Sequence, residues 1–211
     1  MMEFSKDYIE SFIRPRNELL LEMEQYAKEH HVPIMQLPAM DVLNQMLRIQ
    51  QPSSILEIGT AIGYSAMRMA DALPNCKIVT IERDSERVNL AKEFIARSEA
   101  TNRITVIEGD ALEVDVESVE STFDAVFIDA AKGQYMRFFE KYSTLVPSGG
   151  IIYIDNMYMH GLSGLDLKDV PRRKRTMIRN LNTFADWIMT HPDYESTFFP
   201  VGDGLLICLK R

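Results

Sequence analysis

The sequence predicts an α/β fold: a seven-stranded, mostly parallel sheet covered by helices, with an antiparallel C-terminal hairpin and N-terminal helices. Three observations carry this. From residue 54 onward, short β-branched runs alternate with helical stretches, the pattern of βαβ units whose strands lie parallel. The first 50 residues lack such runs and show helical spacing instead. Residues 194–211 form two apolar runs around Gly202-Asp203-Gly204, the signature of a hairpin.

The elements follow in order. Phe4, Tyr8 and Phe12, then Leu19, Met23 and Tyr26, recur at three and four over residues 5–30 and predict helix, interrupted at Pro15. A second helix over 39–50 carries Leu43, Met46 and Leu47 on one side. Strands read at 54–59, 77–82, 103–109, 123–129 and 150–155, with helices at 64–72, 85–98, 132–145 and 172–190. No repeat, low-complexity tract or Pro/Gly/Ser-rich linker divides the chain. The expectation is one domain over 1–211, a helical segment (1–50) joined to an α/β core (51–211).

Composition narrows the class. At 211 residues and 46% apolar, the chain can bury a sizeable core and is not a disordered one. No apolar run approaches the ~18 residues of a membrane span, and MMEFSKDYIE lacks the features of a signal peptide. Cys76 and Cys208 make no disulfide framework, so the cytoplasm is the expected compartment and no membrane is expected as partner. A net charge of −8 excludes a bulk coat for nucleic acid, though not a local basic patch. His30, His31, His160 and His191 have no metal-ligand spacing, and neither cysteine has an evident base partner.

In an open parallel sheet, ligands collect at the carboxyl ends of the strands. The first strand ends in Glu57-Ile58-Gly59, and Thr60-Ala61-Ile62-Gly63-Tyr64-Ser65 leads into a helix. The two glycines allow a tight turn and a close approach to a ligand. Glu82 ends the second strand, placed to accept hydrogen bonds from a ribose diol. The glycine spacing is not the G-x-G-x-x-G of a pyrophosphate cradle, so a nucleoside without phosphate fits better, and S-adenosylmethionine meets that description. Asp129, Asp155 and Asn156 end the fourth and fifth strands. Parallel strands lie about 4.8 Å apart, so these three hard ligands can converge and suit Mg²⁺. Any one of them alone also fits a helix or turn cap. Lys132 lies one helical turn beyond Asp129, placed to act as a base or to hold an oxyanion.

These residues resemble a known family. ILEIGTAIGYSAMRMA (55–70), TIERD (80–84), GDA (109–111), FIDAAKGQY (127–135), DN (155–156) and PVGDG (200–204) are similar to the cation-dependent O-methyltransferases, which include catechol and caffeoyl-CoA O-methyltransferases. The resemblance covers about residues 32–211 and extends, through HHVPIM (30–35), to bacterial enzymes that methylate 5-hydroxyuridine in tRNA. It implies a Rossmann-like class I methyltransferase fold and a homodimer. It also implies that Met35, Glu57, Gly59, Gly63 and Ser65 line the methionine part of S-adenosylmethionine. Glu82 would hold the ribose, and Asp110 with Ala111 the adenine. Asp129, Asp155 and Asn156 would bind Mg²⁺, with Asp129 also near the methyl donor and Lys132 as the catalytic lysine. One departure is Ala130-Ala131, where catechol enzymes carry bulkier rings.

The basic stretch KDVPRRKRTMIR (168–179) carries a formal +5 within the chain total of −8, so the other 199 residues carry −13. Met177, Leu181, Phe184 and Ile188 should face the core, leaving Arg172, Arg175 and Arg179 outside. Lys168, Arg172, Arg173, Lys174, Arg175 and Arg179 are candidate phosphate contacts beside the site, joined by Arg14 and Arg16. The reading is a Mg²⁺- and S-adenosylmethionine-dependent O-methyltransferase acting on 5-hydroxyuridine in the tRNA anticodon loop, with the wobble position implied by the resemblance. A small-molecule catechol or phenol methyltransferase is the alternative. A nicotinamide-dependent oxidoreductase and a non-catalytic RNA-binding module remain as readings of other classes.

Overall fold

The computed structural model describes residue 8, residues 10–115 and residues 122–211. Phe4 of the first helical pattern lies outside them. Residues 14–17 around Pro15 have no regular structure, and helix α1 (Glu18–Glu29) begins behind them. The Asn17 side chain accepts the Leu20 N–H at 2.9 Å, an N-cap that stabilises such a helix by about 1 kcal/mol. Leu20, Met23 and Ala27 fall on its buried face. Helix α2 (Leu37–Gln50) buries Met40, Leu43 and Leu47.

The α/β part comprises β1 (Ser54–Ile58), α3 (Tyr64–Ala72), β2 (Lys77–Glu82), α4 (Ser85–Ala96), β3 (Ile104–Glu108) and β4 (Ala125–Ile128). It continues through α5 (Tyr135–Tyr142), β5 (Ile151–Ile154), α6 (Arg175–Met189), β6 (Tyr194–Phe199) and β7 (Leu205–Lys210). Two predicted helices are composite. Residues 132–145 comprise a 3-10 turn (Lys132–Gln134), α5 and a second 3-10 turn (Ser143–Leu145). Gly133 is a poor helix former, and Val146 before Pro147 is pushed out of the helical region. Helix α6 is likewise preceded by a 3-10 turn (Arg172–Lys174), and Ile178 takes the fully buried place expected of Met177.

The strand order is β3-β2-β1-β4-β5-β7-β6. The first five strands pair in parallel, and β7 runs antiparallel to both β5 and β6. The chain moves outward from β1 to β3, then crosses back to start β4 on β1's other side. The order therefore reverses at the carboxyl ends of β1 and β4, where a crevice opens.

Side chains alternate across the sheet, so each strand feeds two apolar layers. Ile55, Ile78 and Phe127 pack on the α1–α4 side, whereas Leu56, Val79, Val126 and Ile152 pack against α5 and α6. Phe139, Phe184 and Trp187 form an aromatic cluster in the second layer. Cys76 and Cys208 are buried in opposite layers, and burial pushes both thiols up to about 12. Neither is a nucleophile at neutral pH. Among the described residues, no helix is long and apolar enough to cross a membrane.

Candidate active site

The crevice at the strand-order reversal is a cavity of about 470 Å³, within the usual range for small-molecule sites. Its floor begins with the turn after β1. Gly59 has φ +103°, and a Cβ there would lie 2.1 Å from the Asp129 carbonyl oxygen. Only glycine lets the ends of β1 and β4 approach this closely. Gly63, at φ +84°, ends the turn as the N-cap of α3.

Glu82, 9% exposed, ties this turn to the end of β2. One carboxylate oxygen accepts the Ala61 N–H at 2.9 Å, and the other accepts those of Arg83 and Asp84 at 2.9 and 3.1 Å. Asp110 accepts the Leu112 N–H at 2.8 Å. Met35, Gly59, Ser65, Glu82, Asp110 and Ala111 all line the cavity.

Two expected lining residues do not. Glu57 points to the Ile55 side of β1 and is fully buried beneath the floor, because side chains alternate along a strand. It accepts hydrogen bonds from the Ser65 hydroxyl and from Thr80 Oγ1, the latter at 2.5 Å. Burial pushes its carboxyl up to about 8 against the opposing pull of those two hydroxyls, helped by the Asp129 and Glu82 charges. Gly63 is also outside the lining, facing Ala91 and Ile95 of α4.

On the opposite wall, Asp129, Lys132 and Asn156 line the cavity. Lys132 Nζ donates to Asp129 Oδ1 at 3.0 Å. Asp155, 2% exposed, lies just behind and is not in the lining. Its Oδ2 accepts from Asn156 Nδ2 at 3.0 Å, and its Oδ1 is buried without a hydrogen-bond partner. Burial, then the Asp129 charge, pushes its carboxyl up to about 7. An orphaned carboxylate oxygen beside a second carboxylate is an environment that a cation would relieve. Among the described residues no three His, Cys, Asp or Glu side chains group as a metal site, so the third donor would be the Asn156 amide.

Sequence reasoning missed the part of the wall formed by Met159, His160 and Asp203. Asn156, Met159 and His160 all have positive φ, so this loop is held in a costly shape. The turn between β6 and β7 supports it. Tyr158 N–H donates to the Asp203 carbonyl at 2.7 Å, Met157 N–H to the Gly204 carbonyl at 3.0 Å, and His160 N–H to the Asp203 carboxylate. Paired glycines around an acid, in Gly202-Asp203-Gly204, were the available signal.

The basic residues divide. Asn180 Nδ2 donates to the Gly133 carbonyl at 3.1 Å, which brings the start of α6 against the turn carrying Lys132. Arg172, Arg173 and Arg179 are exposed there, Lys174 is half-buried, and exposed Lys168 pairs with Asp166 at 3.0 Å. Arg175 is not the free surface cation expected: it is half-buried and donates to the Val170 and Lys168 carbonyls at 2.9 and 3.0 Å. Arg14 is exposed, but Arg16 grips Glu24 through two 2.8 Å bonds with 19% of its side chain accessible. It is therefore held in an ion pair and is not the free surface cation expected.

Comparison with known proteins fits this geometry. The O-methyltransferase family model matches residues 10–211. Caffeoyl-CoA O-methyltransferase 1 of Arabidopsis thaliana is 31% identical over 216 residues, covering 96% of this chain and 82% of the relative. A solved Staphylococcus aureus protein, provisionally named as a caffeoyl-CoA O-methyltransferase, is 34% identical with a TM-score of 0.91 over 98% and 99% of the two chains. The O-methyltransferase TomG of Streptomyces achromogenes, solved in complex with S-adenosylmethionine, is 25% identical with a TM-score of 0.83 over 97% and 94%. The oxidoreductase and non-catalytic readings give way to methyl transfer. By family model, relatives and fold, the chain belongs to the O-methyltransferase family and is an S-adenosylmethionine-dependent O-methyltransferase.

Proposed function

We propose that this enzyme methylates a hydroxyl whose neighbouring oxygen shares a divalent cation, Mg²⁺ by preference. The observation that carries this is the wall at the ends of β4 and β5, where Asp155 Oδ1 is buried without a partner beside Asn156 and the Asp129–Lys132 pair. Asp129, Asp155 and Asn156 would hold the cation. Met35, Gly59, Ser65, Glu82, Asp110 and Ala111 would hold S-adenosylmethionine, with Glu57 and Gly63 shaping the floor beneath it. When bound, the cofactor supplies the methyl group and the cation lowers the cost of an acceptor oxyanion.

The chain's own groups do the rest. Lys132, held by Asp129, faces the acceptor side and either stabilises negative charge on its oxygen as the ammonium or takes its proton as the free amine. Gly59 lets the two walls approach, so donor and acceptor meet without a covalent enzyme intermediate. With the cofactor bound, its methyl group would pass from sulfur to the acceptor oxygen, and the hydroxyl proton would go to the free amine of Lys132 or to water.

For the acceptor, the named relatives favour a small phenol with two adjacent oxygens, the class that includes the caffeoyl group. Two observations keep 5-hydroxyuridine of a tRNA anticodon loop as a second reading. Arg172, Arg173 and Arg179 lie exposed on the segment that α6 docks beside the Lys132 turn. Ala130 and Ala131, with small side chains, also line the cavity beside Lys132. Unpaired RNA bases are commonly splayed into such pockets. The test is incubation with S-adenosylmethionine and Mg²⁺, with and without chelator, offering a catechol and undermodified tRNA in parallel. Methylation of neither acceptor, or activity indifferent to chelator, would sink the proposal. Methoxyuridine in digested tRNA selects the second reading. In that case Arg172→Ala with Arg173→Ala weakens tRNA binding and flattens its salt dependence. Light scattering tests the homodimer that the family resemblance implies.

A further inference from the structure

The turn between Gly59 and Ser65 is pinned at three places. Glu82 holds the Ala61 N–H from β2, and Glu57 holds the Ser65 hydroxyl from β1. The third pin comes from outside the sheet. Glu24 of α1 accepts the Tyr64 hydroxyl at 2.6 Å, and that hydroxyl in turn accepts from Arg68 Nη1 at 2.7 Å. Tyr64 is the first residue of α3, lines the cavity, and is 1% exposed. A buried phenol with both its donor and its acceptor bond fixed has one orientation left.

Glu24 has three donated hydrogen bonds, two of them from Arg16 at 2.8 Å. Burial works to raise its carboxyl, but the bonds from Arg16 and Tyr64 outweigh burial and hold it below the ordinary range. Its charge also compensates Arg68, a residue only 6% exposed. The network Arg16–Glu24–Tyr64–Arg68 thus runs from the segment before α1 to the first turns of α3. Among the described residues, no hydrogen bond or ion pair joins it to the Asp129–Lys132 wall.

We propose that Glu24 is a positioning residue for S-adenosylmethionine, acting through Tyr64 on the turn that receives the cofactor. The proposal rests on the reading that the Gly59–Ser65 side of the cavity holds the cofactor. Calorimetric titration of the full chain with S-adenosylmethionine tests it in Glu24→Ala, Glu24→Gln, Tyr64→Phe and the Glu24→Gln/Tyr64→Phe double variant, with Glu82→Ala as control. Glu24→Ala is expected to raise the Kd about ten-fold, and Glu24→Gln less, since its amide oxygen still accepts from Tyr64. The double variant should bind no more weakly than Tyr64→Phe alone. The KM for the acceptor, and kcat at saturating cofactor, stay at wild-type values.

A merely structural residue would lower the melting temperature without this split and would add to Tyr64→Phe in the double variant; either result overturns the proposal. Glu24→Gln keeps the shape of the side chain and decides the matter where Glu24→Ala does not fold. Weakened binding in Glu82→Ala with wild-type binding in the Glu24 variants overturns this inference alone. Wild-type binding in Glu82→Ala overturns the cavity reading and the inference with it.

Discussion

The two walls of the cavity are built on opposite terms. On the β1–β2 side, each acid is already paired. Glu82 accepts three backbone N–H groups, Glu57 two hydroxyls, and Glu24 an arginine and a phenol. On the β4–β5 side, Asp155 keeps an orphaned oxygen, its carboxyl is pushed up to about 7, and Asn156, Met159 and His160 carry positive φ. On the proposed reading, one wall would be a finished mould for a neutral diol and an amino acid. The other holds a deficit that a cation and an acceptor oxygen would fill. On that reading, preorganisation would serve binding on the first wall and unrelieved charge would serve chemistry on the second.

That contrast breaks most visibly at Asp155. Asp155→Ala is expected to cut kcat by about 10²–10³, about 2.7–4 kcal/mol of transition-state stabilisation, while calorimetric binding of S-adenosylmethionine stays at wild type. Equal loss of cofactor binding would mean that the walls are not separate. Gly59→Ala strikes where the walls meet. Its Cβ collides with backbone at 2.1 Å, and the left-handed φ adds strain, so denaturant unfolding should show a loss of about 2–3 kcal/mol along with cofactor affinity.

Glu57→Gln sharpens the comparison with the smallest effect. The folded carboxyl, at about 8, lies above its ordinary 4.5. The folded state therefore holds a proton that the unfolded state releases, and this contribution is complete below 4.5 and is lost as pH rises through 8. Wild-type stability should drop by about 1 kcal/mol between pH 7 and 8 from this group. Glu57→Gln, which cannot ionise, should be flatter over that interval in melting curves taken across pH. Identical slopes would place the proton elsewhere.

The sheet was legible from local pattern because β-branched runs and helical spacing are local properties. The expected strands match those observed to within one or two residues at each end. The ends of β1, β2, β4 and β5 pointed to the crevice for the same reason: topology alone sends strand ends there. What stayed hidden was partnership. Arg16 and Arg175 read as surface cations because their partners, Glu24 and the Val170 and Lys168 carbonyls, are set by folding and not by charge pattern. Glu57 read as a cavity residue because its position in the motif does not say which side of β1 it faces. Asp203 lies 47 residues beyond Asn156 in sequence and reaches the loop only through the β5–β7 pairing.

The strand order also bears on the timetable of folding. Strands β1, β2 and β3 are consecutive neighbours, so the wall proposed for the cofactor can assemble soon after its residues leave the ribosome. Strand β7 is made last of the seven yet sits inside the sheet, between β5 and β6. The loop bearing Asn156 and His160 lacks its hydrogen bonds to the Asp203–Gly204 turn until that turn and β7 arrive. During synthesis the wall proposed for the methyl donor can therefore form before the wall proposed for the acceptor gains its last hydrogen bonds.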